Sequence, residues 1–133
     1  MKTTTTLLIV DDSASVRDDL RTLIELTSKV KVIGEAMDFE DAIQQSQALQ
    51  PDIILLDMEI SGKSRQEKPS GDFEKRAFQT IRTLKKDHPE IRVFVLTADE
   101  SKEAELAAVK SGADAFLVKG KDTEQLLRLI RTY

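Results

Sequence analysis

The chain has no cysteine, one histidine, five glycines and no long apolar run in its 133 residues. Without cysteine there is neither a disulfide framework nor a thiolate metal site, and a reducing compartment is compatible. No glycine-rich turn follows the first apolar run, which argues against a dinucleotide-binding enzyme. The N-terminal "MKTTTTLLIV" holds one lysine and four consecutive apolar residues, too few for a signal peptide or a membrane span. A cytoplasmic protein with no membrane partner is expected. Positive charge is also in short supply. Lys and Arg number 20 against 24 Asp and Glu, a net charge of −4, which argues against a general nucleic-acid binder while leaving a local basic patch open.

What is present is an ordinary globular balance, with 40% hydrophobic and 33% charged residues in a length suited to one domain. Short apolar runs stand at 6–10, 30–36, 52–56, 92–96 and 115–118. The residues 53–56 and 93–96 are apolar throughout, as in a parallel sheet covered on both faces. Helical spacing separates the runs. Val16, Leu20, Leu23 and Ile24 form one stripe, with Arg17, Asp18 and Arg21 outside and Ser13 placed to cap it. Ala42, Ile43 and Leu49 mark a second helix that stops before Pro51. Phe73, Ala77, Ile81 and Leu84 mark a third. Ala104, Ala107, Ala108 and Val109 mark a fourth, closed by Gly112. Leu126, Leu127 and Ile130 mark a fifth, with Thr123 near its start. This alternation predicts an α/β fold, a doubly wound five-stranded parallel sheet of order 2-1-3-4-5 in a three-layer sandwich. The polar stretch "EISGKSRQEKPSGD" at 59–72 is predicted as a long loop between the third strand and third helix.

The predicted sheet explains why Asp11 and Asp12 follow an apolar run directly. Asp57 ends the third run, and in this order the first and third strands are parallel neighbours. Three carboxylates then converge where such folds bind ligands. Clustered anions raise one another's pKa unless a cation offsets them, and hard oxygens with open positions suit Mg²⁺. Thr97 and Lys119 follow the fourth and fifth runs. A hydroxyl and an ammonium beside a metal-bound carboxylate make a phosphoryl-binding set, with Asp57 as the nucleophile.

In that order, these motifs resemble the receiver domain of two-component response regulators, a CheY-like, flavodoxin-like (βα)5 fold. The likeness runs from about Leu7 to the C-terminus and takes 1–133 as a single domain. The resemblance implies that Asp11 and Asp12 are the acidic pair holding Mg²⁺ together with Asp57 and the Glu59 backbone carbonyl. It implies that Asp57 is the phosphoacceptor, Thr97 with Ala98 the switch hydroxyl and its small neighbour, Lys119 the invariant lysine and Phe116 the switch aromatic. "SGADAFLVKG" is similar to the stretch leading into that lysine. The implied donor is a histidine kinase or a histidine phosphotransfer protein. The implied output is an altered face of the fourth helix, fifth strand and fifth helix, read by a partner or by a second copy in a homodimer. His88 reads as a surface residue and not a phosphohistidine, so the chain is expected to accept phosphoryl groups rather than supply them. The side chains of Glu59 and Asp99 are expected to flank the route of attacking water. No DNA-binding segment follows Tyr133, so either a stand-alone regulator or the receiver of something larger is expected.

Departures from the family pattern occur at Gly120, where proline is usual, and at Ile60-Ser61, which replaces a Met-Pro and leads into the long loop. Two other readings stay open. "DMEIS" at 57–61 echoes the Asp-x-Asp-x-Thr/Ser element of haloacid-dehalogenase-type phosphatases, with Glu59 as the second acid and a chain short for core plus cap; phosphomonoester turnover identifies it. A phosphorylation-independent interaction module would bind its partner equally with and without beryllofluoride.

Overall fold

The computed structural model describes residues 4–60 and 72–132, with side chains from residue 75 onward in the second stretch. Of the loop predicted over 59–72, residues 61–71 lie outside the described residues, as does the side chain of Phe73. The five apolar runs are strands: β1 (Thr6–Val10), β2 (Lys31–Ala36), β3 (Ile53–Asp57), β4 (Arg92–Thr97) and β5 (Ala115–Val118). The helices are α1 (Ala14–Thr27), α2 (Phe39–Leu49), α3 (Asp72–Asp87), α4 (Lys102–Ser111) and α5 (Thr123–Thr132). Every strand pairing is parallel, and the order is β2-β1-β3-β4-β5, as the alternation predicts.

Alternate residues of the strands feed two cores. Leu8, Val10, Ile54, Leu56, Val93 and Val95 meet Phe39 and Ala42 of α2, Ala77 and Ile81 of α3, and Ala108 of α4. Leu7, Ile9, Ile53, Leu55, Phe94 and Leu117 meet Ile24 of α1 and Leu126 and Ile130 of α5. Helices therefore cover both faces, which is why β1 and β3 carry unbroken apolar runs. Each such aliphatic side chain contributes about 1.5–3 kcal/mol of transfer free energy. The central strands are consequently the firmest platform available for a site.

The helix ends follow local chemistry. Ser13 accepts the Val16 amide at 3.3 Å, and Ser101 accepts the Ala104 amide at 3.1 Å. Gly112 closes α4 at φ 112°, where a Cβ would lie 2.9 Å from Lys85 Cγ. Gly120 has φ 76°, a value that a proline ring excludes, so the usual residue there would not fit this backbone. Three side chains in the predicted apolar stripes are instead exposed, Val16 at 40%, Leu49 at 36% and Val109 at 55%. In α4 the inward pair is Ala104 and Ala108, four apart. Val109 lies one residue further around, rotated about 100° off that face.

At the opposite end from the carboxylates, two aspartates tie neighbouring strands. Asp52, just before β3, accepts the Thr6 amide of β1 at 2.8 Å. Asp114, just before β5, accepts the Val93 amide of β4 at 2.8 Å and the Lys85 ammonium at 3.0 Å. Because β4 and β5 carry Thr97 and Lys119 at their far ends, Asp114 sets the register of part of the site. We predict that Asp114→Ala lowers stability by about 1–3 kcal/mol in urea denaturation, since it strands a buried amide, and that Asp114→Asn, which keeps an acceptor oxygen, loses less. Equal losses would contradict this account of the clamp.

Candidate functional site

Asp11, Asp57, Thr97 and Lys119 stand at the carboxyl ends of four strands. Asp11 follows β1, and its amide continues the ladder to the Ala36 carbonyl at 3.0 Å. Its own carboxylate accepts the Ser13 amide at 2.9 Å, which turns the chain into α1. Asp57 is the last residue of β3 and Thr97 the last of β4, exposed by 4% and 1%. Lys119 follows β5, and its amide bonds the Thr97 carbonyl at 2.8 Å. Since β3 lies between β1 and β4, Asp57 has acids on one side and donors on the other.

The acidic side holds Asp11, Asp12 and Asp57, each offering an oxygen within 4.8 Å of the others. Asp11 and Asp57 are buried and Asp12 is exposed. On the donor side, Lys119 Nζ is 2.6 Å from Asp57 Oδ1, and the Glu59 amide donates to the same oxygen at 3.1 Å. Phe116 pairs in register with Val95 and packs half-buried against the α2–α3–α4 core. His88 follows α3 in the turn ahead of β4, at the opposite end of the strands.

Sequence reading missed two features. Arg17, expected on the outer face of α1, has a side chain only 14% exposed. It donates to the Asp11 carbonyl at 2.6 Å and to Glu35 Oε1 at 2.8 Å, while Arg21 bonds Glu35 Oε2 at 2.6 Å. Hydrogen bonds from Arg21, then Arg17, outweigh burial and hold Glu35 below the usual carboxylate range. This brace fixes the backbone that presents the acidic pair. Its only trace in the sequence is Arg at i and i+4 on α1, which also fits a solvated face. The second feature is the side chain of Glu59. Its carboxylate accepts the Thr97 hydroxyl at 2.6 Å and the Ala98 amide at 2.7 Å, and it lies 3.3 Å from Lys119 Nζ. Asp99, expected with Glu59 to flank the route of attacking water, accepts the Ser101 amide at 2.8 Å, while its own amide donates to Thr97 Oγ1 at 3.0 Å.

Burial pushes Asp57 up to about 6 from its ordinary 3.8. The Lys119 ammonium and the Glu59 amide oppose the rise, and the Asp11 charge adds to it. Burial pulls Lys119 down, but Asp57 and Glu59 outweigh it and hold the ammonium above its usual value. The folded chain therefore binds a proton at Asp57 more readily than the unfolded chain. The stability this contributes is present below the unfolded pKa and is lost as pH rises through about 6. Asp57→Asn is neutral throughout, so in metal-free buffer its advantage over wild type should grow from near zero at about pH 4 to about 1–3 kcal/mol at about pH 7.5. Urea denaturation at the two pH values checks this, and a pH-independent difference would contradict it.

The family model described as the response regulator receiver domain matches residues 7–131. The nitrate/nitrite response regulator protein NarL of Escherichia coli (strain K12) is 29% identical over 125 residues, 94% of this chain and 52% of NarL. NarP of the same strain, also a nitrate/nitrite response regulator, is 32% identical over 125 residues, 94% of this chain and 53% of NarP. The chain thus spans about half the length of these curated relatives. Among solved structures, the response regulator domain of Thermotoga maritima CheB has a TM-score of 0.79 at 25% identity, covering 98% of this chain and 96% of that one. With its five parallel strands in the order 2-1-3-4-5 and acids gathered at their carboxyl ends, the chain belongs to the response regulator receiver domain family.

Proposed function

We propose that this receiver domain is a phosphoacceptor, in which Asp57 takes a phosphoryl group from the phosphohistidine of a histidine kinase or histidine phosphotransfer protein. The observation that carries the reading is the setting of Asp57. It is a buried carboxylate with two further acids on one side and an ammonium and an amide on the other. Such a group is poor at holding a lone charge and well placed to share an added one.

The donor set suits Mg²⁺. Octahedral ligands at about 2.0–2.1 Å stand about 3–4 Å apart, and the three carboxylate oxygens, all within 4.8 Å of one another, are compatible with sharing such an ion. Asp11, Asp12, Asp57 and the Glu59 backbone carbonyl would hold the ion, and when bound it supplies charge neutralisation and a seat for a phosphoryl oxygen. The protein's own groups do the rest. An Asp57 oxygen attacks phosphorus as the P–N bond breaks and its electron pair returns to the imidazole. Lys119 offsets the charge on the phosphoryl oxygens, and the Thr97 hydroxyl and Ala98 amide are donors within the same site. By positioning these groups the domain assists both acceptance and hydrolysis of its phosphoryl group.

The acyl phosphate adds about −1.5 to −2 charge at neutral pH. Thr97 bonds the new oxygens, and Phe116, already against the core, turns further inward. The face made by α4, β5 and α5 then differs between the two states, and a partner or a second copy reads it. Leu106 and Val109 give α4 exposed apolar surface at 59% and 55% for such a contact. No described helix is long and apolar enough to cross a membrane. We place the transfer in the cytoplasm, with no direct nucleic-acid contact by this chain.

The test is phosphorylation by acetyl phosphate, phosphoramidate or a labelled kinase, with Mg²⁺ present and absent. Asp57→Asn should reduce labelling to background, and chelation of Mg²⁺ should suppress labelling of the wild type. Undiminished labelling of the variant would overturn the acceptor assignment.

A further inference from the structure

Three donors that would serve a phosphoryl group on Asp57 are already engaged. The Thr97 hydroxyl, the Ala98 amide and the Lys119 ammonium come from β4, the turn after it and the end of β5, and all converge on one carboxylate, that of Glu59. The two hydrogen bonds, at 2.6 and 2.7 Å, have the short lengths of charge-assisted contacts. Glu59 is held from both ends. Its amide bonds Asp57 Oδ1 while its side chain folds back over Thr97, and 29% of that side chain remains exposed. The arrangement is a small oxyanion pocket with an oxyanion in it.

We propose that Glu59 is an internal occupant of the phosphoryl-oxygen pocket, a tethered anion that holds Thr97, Ala98 and Lys119 before phosphorylation and must withdraw for a phosphoryl group to enter. The proposal rests on the acceptor reading of Asp57 and concerns how that site is regulated. The competition follows from chemistry. One hydroxyl and one amide each have a single hydrogen to donate, and they cannot satisfy Glu59 and a phosphoryl oxygen together at full strength. A dianionic phosphoryl group would also repel a carboxylate held in the same pocket. Withdrawal is open to Glu59, because its side chain reaches solvent.

Two consequences are specific to this chain. The switch hydroxyl is drawn toward the pocket before any phosphoryl group arrives, so phosphorylation exchanges one anion for another at Thr97 instead of filling an empty pocket. Acceptance also carries the cost of expelling Glu59. If the inward state outweighs the outward one by about ten to one, the apparent affinity for a phosphoryl-like anion falls about tenfold.

Beryllofluoride with Mg²⁺ is the probe, and binding is followed by titration and by the backbone amide resonance of Ala98. Glu59→Ala should bind about tenfold more tightly than wild type, with Glu59→Gln between them. Before the probe is added, the Ala98 amide should resonate at different positions in wild type and Glu59→Ala; with beryllofluoride bound, the two should converge. Glu100→Gln removes one charge from the β4–α4 connection, where Glu100 meets the exposed Lys121 at 3.3 Å, and its affinity should match wild type. Equal affinity of wild type and Glu59→Ala, or an equal gain in Glu100→Gln, would overturn the proposal. So would coincident Ala98 resonances before the probe is added. Asp57→Asn separates the two readings. If it still binds beryllofluoride, the acceptor assignment fails, whereas its loss of binding beside an unaltered Glu59→Ala removes the internal occupant alone.

Discussion

The carboxylate of Asp57 is taken almost wholly out of water and given only partial compensation, and much of the molecule is arranged around that imbalance. Desolvation opposes its charge, the Asp11 carboxylate opposes it further, and one ammonium with one amide offsets part of the cost. A fully paired carboxylate would be inert, and an exposed one would be indifferent to its neighbours. A buried and under-compensated one responds to any group that completes the balance. The architecture makes this placement tolerable. β3 is buried on both faces and lies at the centre of the sheet, so the core on either side anchors the residue that the local electrostatics disfavour.

Lys119 shows how finely the compensation is divided. Its single ammonium serves Asp57 at 2.6 Å and Glu59 at 3.3 Å, one cation between two anions. The acidic pair on the far side has its own support in Arg17, which grips the Asp11 carbonyl and the Glu35 carboxylate together. The site is therefore braced through backbone at one edge and through a shared ammonium at the other. The braced edge is suited to holding an ion, and the shared ammonium to a change of partners.

Thr97 connects that change to the surface. Its oxygen donates to Glu59 and accepts the Asp99 amide; Asp99 accepts the Ser101 amide, and Ser101 caps the first turn of α4 through Ala104. An altered partner for the Thr97 hydroxyl is felt within a few bonds of the helix that bears exposed Leu106 and Val109. The path consists of contacts between consecutive groups and does not depend on motion of the sheet, which is packed on both faces.

Most of the fold was legible in the residues themselves, because burial on two faces produces unbroken apolar runs and helical packing produces its own spacing. Five such runs alternating with five helical stripes leave few arrangements once crossovers are right-handed. Asp11, Asp12, Asp57, Thr97 and Lys119 were legible because each directly follows, or ends, an apolar run, and parallel strands carry their carboxyl ends to one edge. Side-chain directions set by tertiary neighbours were not legible. Whether Val16 met solvent, whether Arg17 turned inward and where the Glu59 carboxylate went depended on neighbours brought in from β2, β4 and β5. The sequence alone determined which elements form and which polar residues stand at their ends, since both follow from local pattern. Only the tertiary structure decided that Glu59 lies on Thr97 and Ala98 and that Arg17 braces Asp11, because a side chain in a turn takes its direction from distant donors and not from its place in the chain.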